Sequence, residues 1–81
     1  MDVKEKIVQF FEENFMVNLK DDGIGDDDSF LESGVIDSTG VLELVTFLEE
    51  NFGIKVEDDE IVPENLDSIN NLIRYIQQKT Q

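Results

Sequence analysis

The apolar residues of this chain recur at helical intervals, and that spacing leaves little room for a sheet. The strongest run follows Asp37-Ser38. Val41, Leu44, Val45, Leu48 and Phe52 fall on one stripe at about 100° per residue and predict an amphipathic helix over 38–52. Glu43, Thr46, Glu49 and Glu50 lie away from that stripe, and so does Leu42, an apolar residue four positions after Ser38. Phe47 sits at the edge of the same outer face, and Gly53 supplies a stop.

Two further stretches share the period. Val3, Ile7, Phe10 and Phe11 stand at i, i+4, i+7 and i+8, so a first helix is expected over about 2–15, with Asp2 as its cap. Ile69, Leu72, Ile73 and Ile76 repeat at i, i+3, i+4 and i+7. A last helix is expected over about 67–79, with Arg74 and Lys79 near its C-terminal end, where cations suit the dipole. Between Gly53 and Pro63 the acidic run 57–60 predicts a short, marginal helix over about 58–62, started by Asp58 and ended by the proline. No repeat or linker divides the sequence. The expectation is one domain, 1–81: an all-α four-helix bundle with three main helices and a short third one.

Residues 16–36 follow neither period. Asp21, Asp22, Gly23, Gly25, Asp26, Asp27 and Asp28 make an acidic, turn-rich loop, and a loop of that length inside a compact domain is usually functional or pinned. Leu19, Ile24, Phe30, Leu31, Val35 and Ile36 are the expected anchors. The acids invite a calcium-loop reading, but the EF-hand template fails on them. With Gly23 at the glycine position, Lys20 and Ser29 fall where carboxylates belong, and with Gly25 there, Lys20 and Ile24 fall at ligand positions. No metal site is expected.

Charge and two absences narrow the chemistry. Twenty acidic residues against six basic ones give a formal net charge of -14. Nucleic acid and anionic membranes are therefore poor partners, and basic protein surfaces are good ones. The chain has no His and no Cys, which removes imidazole- or thiol-based catalysis and any disulfide framework. The hydrophobic fraction of 40% is too high for disorder. Met1 to Lys6 has no apolar signal segment, and no run is long enough to span a bilayer. A cytoplasmic, non-catalytic monomer is expected.

Ser38 is the chemical centre of this reading. A serine ahead of an apolar-periodic run is commonly a helix cap. The same position lies beside free backbone N–H groups and the positive end of the helix dipole, which favour an attached phosphate. Without a base to activate it, Ser38 reads as an acceptor modified by another enzyme.

The stretch Phe30-Leu31-Glu32-Ser33-Gly34-Val35-Ile36-Asp37-Ser38 carries a resemblance that Leu42-Glu43-Leu44-Val45 and Leu48-Glu49-Glu50-Asn51-Phe52-Gly53-Ile54 extend. The chain resembles acyl carrier proteins and peptidyl carrier domains over essentially its whole length. The resemblance implies a carrier of acyl or aminoacyl thioesters on a 4'-phosphopantetheine arm. That arm would be esterified to Ser38 by a phosphopantetheinyl transferase, with coenzyme A as donor. An adenylating ligase would load it, and downstream synthases or transferases with basic docking surfaces would draw on it. By the same resemblance Asp37, Glu43, Glu49 and Glu50 meet basic partner patches, Leu42 makes an apolar contact, and Thr39 and Thr46 border them. An acyl chain would tuck among Leu48, Ile54, Val56, Ile61 and Val62.

Thr39 replaces the family's usual leucine after the serine, and Gly40 stands where fatty-acid carriers commonly have an acidic residue. A smaller, less charged rim beside Ser38 favours a specialised, freestanding carrier in polyketide, nonribosomal peptide or other secondary acyl metabolism. A housekeeping fatty-acid carrier is the alternative. An acidic helical adaptor in which Ser38 only caps a helix is the competing non-carrier reading, followed by a calcium-responsive protein and a small enzyme.

Overall fold

A computed structural model describes residues 2–80. It is all-α, and among the described residues there is no strand. Three long helices carry the fold: α1 (Val3–Phe15), α3 (Ser38–Phe52) and α5 (Ile69–Thr80), with the four-residue α2 (Phe30–Ser33) and α4 (Pro63–Leu66) in the connections. Asp2 caps α1 by accepting from Lys4 N–H. None of these helices is long and apolar enough to cross a membrane.

The expected stripes form the core. Ile7, Phe10 and Phe11 of α1, Leu44 and Leu48 of α3, and Ile69, Leu72 and Ile76 of α5 are buried, with Val41, Val45 and Phe52 packed against them. Full burial of one such side chain contributes roughly 1.5–3 kcal/mol, and the fold rests on this cluster. α1 and α3 run antiparallel. Phe10 stacks on Phe47 with ring centroids 4.3 Å apart, Lys6 lies 5.4 Å from the centroid of Phe52 at one end, and Phe15 reaches Gly40 at the other.

The loop 16–37 is pinned at many points. Leu19, Phe30 and Ile36 are buried, as their apolar character predicts. Leu31, an expected anchor, is instead 42% exposed, because α2 turns it about 100° away from its inward neighbour Phe30. The acidic residues serve as ties. Asp26 pairs with Lys4 at 3.0 Å, Asp27 accepts from Asn70 Nδ2 at 2.7 Å, and Asp28 accepts from Gly25 N–H at 2.7 Å. Asp67 accepts from Leu31 N–H at 2.9 Å and from the Ser29 hydroxyl.

The expected helix over 58–62 is divided. Asp58–Glu60 is a single 3₁₀ turn, and Pro63 opens α4 rather than closing the preceding piece. Proline lacks an N–H and has its φ fixed, so the first position of a helix suits it. This strap, 53–62, is tied down by Ile54 and Val56, both buried, by the Val56 N–H donated to Glu49 Oε2 at 3.1 Å, and, at its turn, by the carboxylate of Glu60. Glu60 Oε1 accepts from Glu57 N–H at 3.0 Å, Tyr75 Oη at 3.2 Å and Lys79 Nζ at 2.9 Å.

Candidate functional site

The site begins with how α3 starts. Asp37 is extended, with φ -121° and ψ -173°, and its Oδ1 accepts from Gly40 N–H at 2.8 Å. Its carbonyl accepts from Val41 N–H at 3.0 Å. Asp37 is therefore the helix cap, which settles the structural alternative for Ser38: the serine is the first helical residue and caps nothing. Ser38 is exposed, and among the described residues its hydroxyl has no hydrogen-bond partner.

Two further features set this corner. The Ser38 and Thr39 N–H groups, among the described residues, have no acceptor, so the start of a fifteen-residue helix presents donors beside the Ser38 oxygen. A phosphate ester on that oxygen would displace no bond among the described residues and would sit at the N-terminal end of α3, where free N–H groups and the dipole favour it. The fit to a phosphodiester-linked arm is good on these grounds. The approach of the preceding loop is fixed by Gly40, which is buried. A Cβ there would stand 2.6 Å from Ile36 Cγ1 and 3.3 Å from Phe15 Cε1. Gly40 is thus a packing residue turned into the core, and it has no part in the rim beside Ser38, contrary to the sequence reading; Thr39 is the exposed rim residue.

The residues expected to meet partners are all exposed, but they divide between two flanks of α3. Ser38, Leu42 and Glu49 lie on one line, with Leu42 61% exposed. Glu49 is engaged within the molecule, since its Oε2 accepts from Val56 N–H at 3.1 Å. Glu43, Thr46 and Glu50 lie about 100° further round α3 and line a groove against α1. Thr46 donates its hydroxyl to Leu42 O at 3.2 Å.

The expected acyl-lining residues are likewise separated. Leu48, Ile54 and Val56 are buried in the closed core. Of these, only Ile61 and Val62 face a hollow, which Leu31, Ile36, Val41, Pro63, Leu66 and Asp67 complete. Its volume is about 90 Å³, well below the roughly 300–1,000 Å³ of typical ligand pockets. Ile36 and Val41 flank Ser38 in sequence, so this hollow adjoins the site. Sequence reasoning missed Leu31, Ile36, Val41 and Leu66 as lining: period places Val41 on the core stripe, Leu31 and Ile36 read as loop anchors, and Leu66 lies outside any periodic run. It also missed Tyr75, whose burial and bond to Glu60 hold the strap that carries Ile61 and Val62.

The electrostatics of the strap have identified causes. The Glu57 N–H, then Lys79, hold the Glu60 carboxyl below its ordinary range. Burial, then the bond to Glu60, pushes the Tyr75 phenol up to about 12. Among the described residues no group of three or more carboxylates is placed to hold a metal ion.

Comparison with known proteins agrees with this geometry. The family described as phosphopantetheine attachment site matches residues 5–76. The chain is also 37% identical over 78 residues to the D-alanyl carrier protein of Streptococcus uberis, an alignment covering 96% of this chain and 95% of that protein. A solvent-facing serine opening a long helix, in an all-α fold whose sequence matches over nearly its full length, leads to one assignment: the chain belongs to the phosphopantetheine attachment site family of carrier proteins, whose covalently attached cofactor is 4'-phosphopantetheine.

Proposed function

We propose that Ser38 carries the arm and that this carrier transports a small aminoacyl group, with D-alanine the first to test. The observation that carries the attachment point is the division of labour at the start of α3: Asp37 caps the helix, so Ser38 is left exposed at the helix N-terminus and, among the described residues, without a hydrogen-bond partner. Specialisation for a small group is supported by the likeness to a D-alanyl carrier protein and by the size of the adjoining hollow. At about 90 Å³ the hollow as it stands is too small to enclose a fatty chain. Housekeeping fatty-acid transport is the weaker reading for that reason.

Carrier proteins of this family are in general not catalysts. Their chemistry is supplied by the enzymes that modify and load them, and the arm brings the thiol that the cysteine-free chain lacks. Under this proposal a phosphopantetheinyl transferase forms the phosphodiester at Ser38 Oγ. An adenylating ligase then loads the thiol, and downstream enzymes take the group away. Exposed Asp37, Thr39 and Leu42 border the serine and are the residues each of these enzymes must meet.

The test is charging of the phosphopantetheinylated protein by an ATP-dependent D-alanine ligase, read by intact mass against L-alanine, glycine, a medium-chain and a long-chain fatty acid with their own ligases. The expected result is a gain of one alanyl unit, removable by hydroxylamine as a thioester should be. Efficient charging with long-chain acids and none with amino acids would overturn the aminoacyl reading.

A further inference from the structure

The hollow beside the strap is apolar on nearly every side. Every residue that lines it except Asp67 is aliphatic or proline. Both carboxylate oxygens of Asp67 are already engaged, one by the Leu31 N–H at 2.9 Å and the other by the Ser29 hydroxyl. No lining side chain therefore offers a donor. A buried water needs two to four polar partners, so these walls favour apolar atoms over water. Leu31, 42% exposed, keeps one edge open.

The place of the hollow relative to Ser38 follows from α3. Val41 comes three residues after Ser38, and positions at that interval on a helix hold their Cβ atoms about 5–6 Å apart. Val41 is half-buried and lines the hollow, and Ile36, two residues before the serine, lines it from the loop side. Ser38 thus stands at the rim.

The chemistry of a 4'-phosphopantetheine ester decides which of its parts suits such walls. Only the phosphorus, an ester oxygen and a methylene separate the serine oxygen from a quaternary carbon bearing two methyl groups. Beyond that carbon come a hydroxyl and two amides, which are costly to bury without hydrogen-bond partners. An aminoacyl group on the distal thiol carries an ammonium, which is costlier still. Size agrees with the near, branched carbon. An apolar cavity of about 150 Å³ accepts the six carbons of benzene, so one of about 90 Å³ accepts about three or four. The quaternary carbon and its two methyls are three.

We infer that the hollow of Ile36, Val41, Ile61 and Val62 seats the dimethyl-bearing carbon of the arm, so that the arm leaves the surface beyond it and holds its cargo in solvent. The inference rests on attachment of the arm at Ser38, proposed above. The covalent tether supplies a high effective concentration of this group at the rim, so a small apolar gain is enough to seat it. Ile61 and Val62 belong to the strap latched through Glu60, and a seated arm adds contacts to that wall.

The test uses ¹³C,¹⁵N-labelled protein carrying an unlabelled arm, with fragment mass first establishing that the arm is on Ser38. The two arm methyls should give isotope-filtered nuclear Overhauser contacts to the methyls of Ile36, Val41, Ile61 and Val62. A second sample carries an arm in which the dimethyl carbon is a plain methylene. Amide exchange at Ile61 and Val62 should be about fourfold slower with the natural arm than with this one, the factor supplied by roughly one buried methylene. Val41→Thr keeps the shape and adds a hydroxyl, and it should abolish the difference between the two arms; circular dichroism checks its fold. Arm methyls without contacts to the hollow, contacts to Leu42 alone, or equal exchange with both arms in the wild type would overturn the inference while leaving attachment intact. A protein that accepts no arm at Ser38 would overturn the attachment reading, and this inference with it.

Discussion

The segment that enters α3 and the segment that leaves it are secured differently. Residues 16–37 are held by distributed anchors: three buried side chains, Leu19, Phe30 and Ile36, and ties that reach α1 through Lys4, α5 through Asn70 and the α4–α5 junction through Asp67. Residues 53–62 have buried Ile54 and Val56 at one end, but the turn at 58–60 converges on the single carboxylate of Glu60. Ser38 stands at the end of the segment with distributed ties, while the wall formed by Ile61 and Val62 belongs to the latched one. A carrier needs a fixed attachment point and benefits from a yielding wall beside it.

The largest effect should come from the distributed segment. Phe30→Ala removes a fully buried ring that packs on Phe11 at a centroid distance of 4.7 Å, and such truncations cost about 3–5 kcal/mol. Urea unfolding should show a loss of that order; a loss below about 1 kcal/mol would mean that the loop is not held through its core anchors. Gly40→Ala comes next. Its Cβ must push Ile36 or Phe15 aside, and overpacking of this kind costs about 1–3 kcal/mol. A wild-type melting temperature for this variant would contradict the close approach of loop and helix.

The latched segment should respond locally and to pH. Glu60→Gln should speed amide exchange at Glu60, Ile61 and Val62 while leaving Leu44 and Leu48 protected, and uniform acceleration would show that the strap is not a separate unit. The Glu60 carboxyl is depressed, so its contribution is complete above the ordinary carboxylate range and is lost as pH falls through the folded value. The Tyr75 phenol is raised from 10.0 to about 12, so its contribution is complete below pH 10 and is lost as pH climbs toward 12. Tyr75→Phe should abolish the alkaline part of this profile and leave the acid part in place.

The difference between the segments also marks what the sequence makes legible. The stripes of α1, α3 and α5 were readable because period is local: Val3, Ile7 and Phe10 declare one face without reference to any other part of the chain. Asp37-Ser38 announced a helix start, but which of the two residues caps depends on backbone angles that composition does not reveal. Glu60 lies 15 residues from Tyr75 and 19 from Lys79, and no periodic pattern encodes a polar contact at that separation. The ties of the loop acids are hidden for the same reason, since Lys4 and Asn70 reach Asp26 and Asp27 from 22 and 43 residues away. Gly40 was legible as a departure from the family pattern and illegible as a contact, because only the fold places Ile36 and Phe15 against it.

The most direct test of the division between Asp37 and Ser38 is intact and fragment mass after treatment with coenzyme A, Mg²⁺ and a phosphopantetheinyl transferase. It is run on wild type, Ser38→Ala and Asp37→Ala beside their unfolding free energies. Wild type should gain one phosphopantetheine, localised to Ser38. Ser38→Ala should gain none and unfold within about 0.5 kcal/mol of wild type, whereas Asp37→Ala should lose about 1 kcal/mol with its cap. An unmodified wild type, with the transferase shown active on a control carrier, or a phosphopantetheine found on any residue other than Ser38, would contradict the attachment site at the start of α3.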